Sequence, residues 1–404
     1  MADNDDAEAR ANEALSALSG ALLPLLNDAM PHRLVPVLRD FLISSAGASD
    51  AQVLLADYEL GELRQLSPDD REPLALPVTS TAAGQCFLGQ VVVTQPTTGP
   101  EGRAVTEVLV PLSLRAERLG VLQVRFADQP VTADLLRGLQ QIALSTCYVI
   151  VACGACSDVV EVARRAEPLS VAAEMQWNLQ PLRAFSSQQF SIAGQLIPAY
   201  EVGGDCYDYN VDTDHLDLSS LDAMGHGVRA SLLTGLATAV MRNARRGGGG
   251  PVEQVTLADR QLLEQFGGAQ FVTALAMRLN LHTGHAQLVN AGHPAPWLVR
   301  DGRASAVKLS PQLPAGMFEA TDYHPQSLQL QPADRLVLVT DGVLEAGAPG
   351  LEFGEQRLAG LLLATADLTP HQCVAEALRT VRAYAPRMHD DATVICLDWT
   401  GPQP

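Results

Sequence analysis

The sequence predicts an α+β chain whose carboxy-terminal half is two stacked, mainly antiparallel sheets flanked by helices. Three observations lead there. First, that half consists of short apolar strands joined by turns such as His282-Thr283-Gly284 and Asp301-Gly302. Second, helical spacing is confined there to about 226–245, 354–365 and 370–384, so helices have to lie outside a β core. Third, 404 residues with 47% hydrophobic and 18% charged side chains can bury a large core, and two or three domains are expected.

Taken in order, residues 1–20 are polar and Ala-rich and are expected to be disordered or frayed helix. Residues 21–132 read as a small α/β domain with one antiparallel sheet. Pro31 to Ala46 has helical spacing, and Ala51 to Leu66 reads as strand, turn and strand around Gly61. Glu107 to Phe126 reads as a hairpin turning near Arg115-Ala116-Glu117-Arg118. The helix start Thr81-Ala82-Ala83-Gly84-Gln85-Cys86 before Val91-Val92-Val93, and the hairpin wording Val110-Pro111-Leu112 with Leu119-Gly120-Val121-Leu122, resemble the GAF family of sensory domains. The resemblance implies an unidentified small ligand or protein at that domain.

Residues 133–184 read as a helical linker. Leu135, Leu139, Ile142, Thr146, Val149, Cys153, Cys156, Val160 and Ala163 recur at alternating spacings of four and three, a heptad seam that predicts a coiled coil and a homodimer. The alternative is that the stripe packs on its own domain. Pro168 interrupts the pattern, and a second short helix runs to about Leu179. Cys153 and Cys156 have the spacing of a redox pair or half a zinc site. Both fall on the seam, with no second ligand pair nearby, which favours small buried hydrophobes.

The balance of 27 basic and 46 acidic residues leaves a net charge of −19, which disfavours nucleic-acid binding. No apolar stretch is read as reaching the ~18–20 residues that cross a bilayer, and the acidic amino terminus does not resemble a signal peptide. Seven cysteines, an odd number spread over a long chain, fit reduced thiols and a cytoplasmic location. No Gly-x-x-x-x-Gly-Lys-Ser/Thr loop and no Gly-x-Ser-x-Gly elbow is present.

Residues 185–404 carry the chemistry. Glu201-Val202-Gly203-Gly204-Asp205 follows an apolar strand, and Asp222 ends another before the turn Ala223-Met224-Gly225-His226-Gly227. Asp341-Gly342 closes the strand Asp334 to Thr340, and Asp390-Asp391 opens the strand Ala392 to Leu397. Asn290-Ala291-Gly292-His293-Pro294 is a further corner. Any one of these is an ordinary turn. Acids at the mouths of four buried strands would repel one another unless a counter-charge were present. Hard divalent cations with oxygen ligands would supply it, and paired Mg²⁺ or Mn²⁺ suit phosphoester hydrolysis.

These motifs, in this order and with Phe271-Val272-Thr273-Ala274 between them, resemble the stage II sporulation E-type branch of the metal-dependent type 2C (PPM) protein phosphatases. The resemblance covers about 200 residues. It implies an α-β-β-α sandwich, two Mn²⁺ or Mg²⁺ ions, and hydrolysis of phosphoserine or phosphothreonine by metal-activated water. It assigns Asp222 to both metals, aided by the Ala223 carbonyl, Asp341 and Asp390 to the second, and Asp205 to the shell of the first. Asp205 and Asp222 are the catalytic acids on this reading. Gly204, Gly342, Asp391, His226 and His293 are supporting candidates. His226 and His293 could each serve as general acid on chemistry alone, and His293 equally as a structural turn residue. Relatives act on phosphorylated anti-sigma-factor antagonists, so a phosphoprotein is the implied partner. A silent phosphoprotein-binding module and a small-molecule phosphoesterase are the alternatives. Leu221 departs from the usual Gly and Met224 from the usual small residue. Arg245-Arg246 before four glycines reads as a helix end and loop.

Overall fold

The computed structural model describes residues 20–67, 73–98, 102, 104–127, 130–198, 200, 203–386, 388 and 390–402. The expected frayed segment before residue 20, and Glu201, Val202 and His389 of the acidic motifs, lie outside the described residues. The chain forms two compact units, Met1–Pro168 and Leu169–Pro404.

In the first unit, α1 (20–28) and α2 (Leu34–Ala46) precede β1 (Asp50–Ala56), β2 (Glu62–Gln65), β3 (Ala75–Pro77), α3 (Ala82–Gly89), β4 (Val93–Thr98), β5 (Ala104–Leu114) and β6 (Glu117–Phe126). The strands form one antiparallel sheet in the order β3-β2-β1-β6-β5-β4. Strand alternation gives this sheet two apolar faces. Val108 and Val110 face a core shared with Leu38, Leu42 and Leu139, while Leu109 joins Phe87 and Cys86 of α3. Thr81 caps α3 by accepting from the Gly84 amide.

Helix α4 (Ala133–Gly154) stops at Gly154, and α5 (Val159–Arg164) follows separately, where the heptad pattern predicted one helix to about Arg165. Leu139, Ile142, Thr146 and Val149 of the expected seam are buried within the first unit. The stripe that predicted a dimer is therefore occupied by its own domain, because the β5 surface offers apolar area without a second chain. Cys153 is half-buried and Cys156 exposed, and all seven cysteines are free. At 22 residues, α4 is also long and apolar enough to cross a membrane by length and composition, contrary to the sequence count.

The second unit opens with α6 (Val171–Trp177), β7 (Ala184–Ser186), β8 (Phe190–Ile197), β9 (Cys206–Val211), β10 (His215–Ala223), α7 (Val228–Arg246) and α8 (Pro251–Phe266). It continues with β11 (Val272–Asn280), β12 (His285–Ala291), β13 (Trp297–Arg300), β14 (Arg303–Ala306), β15 (Gln326–Gln329), β16 (Asp334–Val339) and α9 (Asp341–Leu344). The short pair β17 (Gly347–Ala348) and β18 (Leu351–Glu352), then α10 (Gly354–Ala364), α11 (Pro370–Tyr384) and β19 (Ala392–Trp399), complete it.

One sheet has the order β15-β12-β11-β10-β9 and the other β14-β13-β16-β19-β8-β7. Their facing sides share a core of Leu216, Leu218, Leu275 and Leu288 against Ile192, Leu338, Ile395 and Leu397. Helices α7 and α8 cover the outer face of the first sheet through Leu221, Leu233, Val255 and Leu262. Helices α10 and α11 cover the second through Val337, Val394, Leu358 and Val374. This is the expected α-β-β-α sandwich. Alternate residues on each strand serve the two cores, which explains the continuous apolar runs. The sequence pattern does not predict helix α8, because the four glycines before it read as a loop. Pro251 at its first turn and the left-handed Gly267 after its end are the boundary signals that were available.

Candidate functional site

The same period-two alternation places the site. On β10, Leu216 and Leu218 face the other sheet, so Ser220 and Asp222 do too. On β16 and β19, Leu336, Leu338, Ile395 and Leu397 face inward, which puts Thr340 and Thr393 on that inner face. Asp205, Asp222, Asp341, Asp390 and Asp391 then gather at one end of the gap between the sheets.

Asp205 precedes β9 and is only 1% exposed. Its Oδ2 accepts hydrogen bonds from Thr340 Oγ1 at 2.7 Å and Thr393 Oγ1 at 2.6 Å. The Thr393 amide donates to Thr340 Oγ1 at 2.9 Å, so three strand ends are tied together. The Asp205 carbonyl accepts from Gln176 Nε2 of α6 at 2.7 Å. Burial, then the charges of Asp391 and Asp222, push the Asp205 carboxyl well above its ordinary range against the pull of the two threonines.

Asp391 holds the turn before Asp205. Its Oδ2 accepts from the amides of Gly203, Gly204 and Asp205 at 2.6, 2.8 and 3.2 Å. Burial outweighs these bonds and raises its pKa to about 6. Asp390 Oδ1 accepts from the Asp391 amide at 2.9 Å. Two glycines allow this packing by their lack of a side chain. A Cβ on Gly342 would stand 1.8 Å from the Asp391 carbonyl oxygen, and one on Gly204 would stand 2.7 Å from the Ala223 carbonyl oxygen.

Asp222 sits at the end of β10, raised to about 8 by burial first and then by Asp341, Asp390, Asp391 and Glu345. Asp341 opens α9 and is raised by burial, Asp390 and Glu345. Among the described residues, no arginine, lysine or histidine pairs with any of the five aspartates. The set consists of hard oxygen donors whose mutual repulsion is unrelieved by protein cations, and that chemistry fits divalent cations. Among the described residues, no three or more side chains of His, Cys, Asp or Glu stand close enough together to hold one metal ion as they are placed.

Both histidines are placed. His226 is exposed in the turn after Asp222. His293 is 5% exposed, and burial lowers its pKa to about 3, so its ring is neutral. Its backbone is clamped by Asn290, which accepts from the His293 amide and donates to its carbonyl, both at 2.8 Å. Sequence reasoning missed Thr340, Thr393, Glu345 and Gln176. The threonines stand beside acidic motifs, a usable signal, while nothing in the sequence marks Gln176.

Residues 212–400 match the family model described as "Stage II sporulation protein E (SpoIIE)". The match lies within the second unit and covers a little less than half of the chain. The phosphoserine phosphatase RsbP of Bacillus subtilis is 29% identical over 153 residues, which are 37% of this chain and 38% of RsbP. The phosphoserine phosphatase RsbU of the same organism is 22% identical over 233 residues, 57% of this chain and 69% of RsbU. The chain thus spans well under half the length of RsbP. The crystal structure of the RsbU and RsbW domains of Rv1364c from Mycobacterium tuberculosis is 27% identical, with a TM-score of 0.49 over 54% of this chain and 61% of that one.

Proposed function

We propose that the second unit is a SpoIIE-type, metal-dependent protein phosphatase acting on phosphoserine or phosphothreonine. The observation that carries the reading is the set of five aspartates, contributed by both sheets, with no protein cation paired to them among the described residues. Asp222, Asp341 and Asp390 would hold two Mn²⁺ or Mg²⁺ ions with the Ala223 carbonyl. Asp205 would contribute through the oxygen not taken by the threonines. When bound, such ions lower the pKa of water and stabilise charge on a phosphoryl group in displacement.

The chain's own residues then have distinct tasks. Thr340 and Thr393 orient the Asp205 carboxylate. Asp391 fixes the backbone that presents Asp205. His293 is held neutral and buried, so it is not a donor of the imidazolium type at ordinary pH. The exposed His226 remains the accessible imidazole in the motif. The division of roles is part of the proposal: a GAF-like sensor in the first unit, with α4 and α5 in its core, and the phosphatase in the second. So are a cytoplasmic, partner-switching role and a phosphorylated anti-sigma-factor antagonist as substrate. The naming of RsbP and RsbU as phosphoserine phosphatases supports the phosphatase part of the reading.

The test is Mn²⁺-dependent release of phosphate from a phosphoserine protein and from p-nitrophenyl phosphate by the full chain. Turnover on both, abolished by chelation, is expected. A folded chain that takes up Mn²⁺ but hydrolyses neither would overturn the reading. Turnover on the small ester alone would replace it with a small-molecule phosphoesterase.

A further inference from the structure

Helix α7 carries an apolar stripe, Val228, Leu232, Leu236 and Val240, spaced by four residues. The two halves of the stripe are treated differently. Leu236 and Val240 pack against the core that α7 and α8 share with the first sheet. Val228 and Leu232 are left 45% and 53% exposed. They do not belong to the packing face of the helix, which Ala230, Leu233, Thr234 and Ala237 supply. Two more apolar side chains stand open at the same end. Met224, in the turn between Asp222 and α7, is 45% exposed, and Val171, which opens α6, is 67% exposed. Ser231 ties these pieces together: its Oγ donates to the Ala172 carbonyl at 3.4 Å and to the Gly203 carbonyl at 3.1 Å.

The open end of the stripe is the end at the aspartates. Ala230 lies so close to Gly204 that a Cβ on the glycine would stand 3.2 Å from the Ala230 methyl. Gly203 and Gly204 form the turn that Asp391 holds before Asp205. Val228 and Leu232 span about 6 Å of helix at 1.5 Å per residue. A polypeptide that places a phosphoryl group among the aspartates therefore has them within reach of its flanking residues, whereas a small ester does not. Arg229, between them in the sequence, is exposed and has no acidic partner among the described residues. In a chain of net charge −19, an open cation beside apolar side chains complements a negatively charged partner. A second copy seated on the same strip would instead bring its own Arg229 and a further −19 of charge. We propose that Met224, Val228, Leu232 and Val171 are a docking strip for the polypeptide that carries the phosphoserine or phosphothreonine, with Arg229 drawing in its negative charge. This role rests on the phosphatase reading and adds a substrate class to it: phosphorylated residues flanked by apolar side chains.

The test uses the full chain with Mn²⁺ and two phosphoserine peptides of equal length and charge. One has leucine and valine on both sides of the phosphoserine; the other has serine and asparagine there. Wild type is expected to show a KM about 10-fold lower for the apolar peptide. The double variant Val228→Ser with Leu232→Ser is expected to erase that difference, while its turnover of p-nitrophenyl phosphate stays within two-fold of wild type. Melting temperature shows that the variant is folded, and sedimentation follows its self-association. Equal KM values for the two peptides with wild type, or a preference that survives in the folded double variant, would overturn the proposal. So would loss of p-nitrophenyl phosphate turnover in the folded variant, which would make the strip a support of the site, or a change in self-association without a change in peptide preference, which would make its occupant a second copy. If wild type takes up Mn²⁺ and hydrolyses neither peptide nor small ester, the phosphatase reading falls and the docking strip with it. Hydrolysis of both peptides without preference removes the docking strip alone.

Discussion

Asp222→Asn is expected to stabilise the metal-free protein while abolishing its metal response. In the folded, metal-free chain the Asp222 carboxyl is raised from 3.8 to about 8. A raised carboxyl means that the folded state binds its proton more tightly than the unfolded state. The associated stability is complete below 3.8 and is lost as pH rises through about 8. At pH 8, ionising this group in place opposes folding by on the order of 5 kcal/mol, at about 1.4 kcal/mol per unit and shared with the neighbouring aspartates. Asparagine has nearly the same shape and no charge, so the variant escapes that penalty. For a domain of this size, 1 kcal/mol moves the midpoint by roughly 2–4 °C, so a rise of about 10 °C or more is expected at pH 8 in chelator. The assay is thermal unfolding followed by tryptophan fluorescence. Trp177, Trp297 and Trp399 all lie in the second unit, so the signal reports the domain that contains the site. Wild type should lose stability between pH 5 and pH 8 without metal and regain it with Mn²⁺; the variant should be nearly flat across both changes. A variant that melts at or below wild type at pH 8 in chelator would refute the claim that crowded, uncompensated carboxylates strain this fold.

Other outcomes follow from the same geometry. Asp391→Ala leaves the amides of Gly203, Gly204 and Asp205 without their acceptor and should destabilise the second unit by about 3–5 kcal/mol in urea titration, with Asp391→Asn milder. Gly342→Ala forces a methyl against the Asp391 carbonyl and should abolish Mn²⁺ uptake in calorimetry, whereas Gly360→Ala, with open space around it, should be neutral. Mn²⁺ binding at pH 7 should release protons, since Asp222 sits near 8 before the metal arrives, and affinity should fall as the medium is acidified; calorimetry in buffers of different ionisation heat measures the proton count. Leu139→Ala should unfold or weaken the first unit by about 2–5 kcal/mol if the α4 stripe is core, and should leave it intact if the stripe is a free dimer seam.

Much of the second unit can be read directly from its residues. Strand ends and turns are local events, so acids flanked by glycine at strand mouths are visible one motif at a time. Their order along the chain carries the family resemblance, and that resemblance implies the sandwich and points to the five aspartates. The α4 stripe shows the opposite case. A heptad pattern states that a face is apolar, not what covers it, and here β5 of the same unit does. Helix α8 is the weakest local signal: four glycines read as a loop, and only Pro251 and the left-handed Gly267 mark its ends.

The division has a physical basis. Residue type and spacing determined the acidic set, the alternation that turns Asp222 inward, and the excess of negative charge. Only the tertiary structure decided that Asp391 closes on backbone amides nearly two hundred residues away, that Thr340 and Thr393 converge on one oxygen of Asp205, and that His293 is buried and neutral. Hydrogen-bond partners and desolvation depend on which atoms fold together across the two sheets, and that is a property of no single segment of the chain.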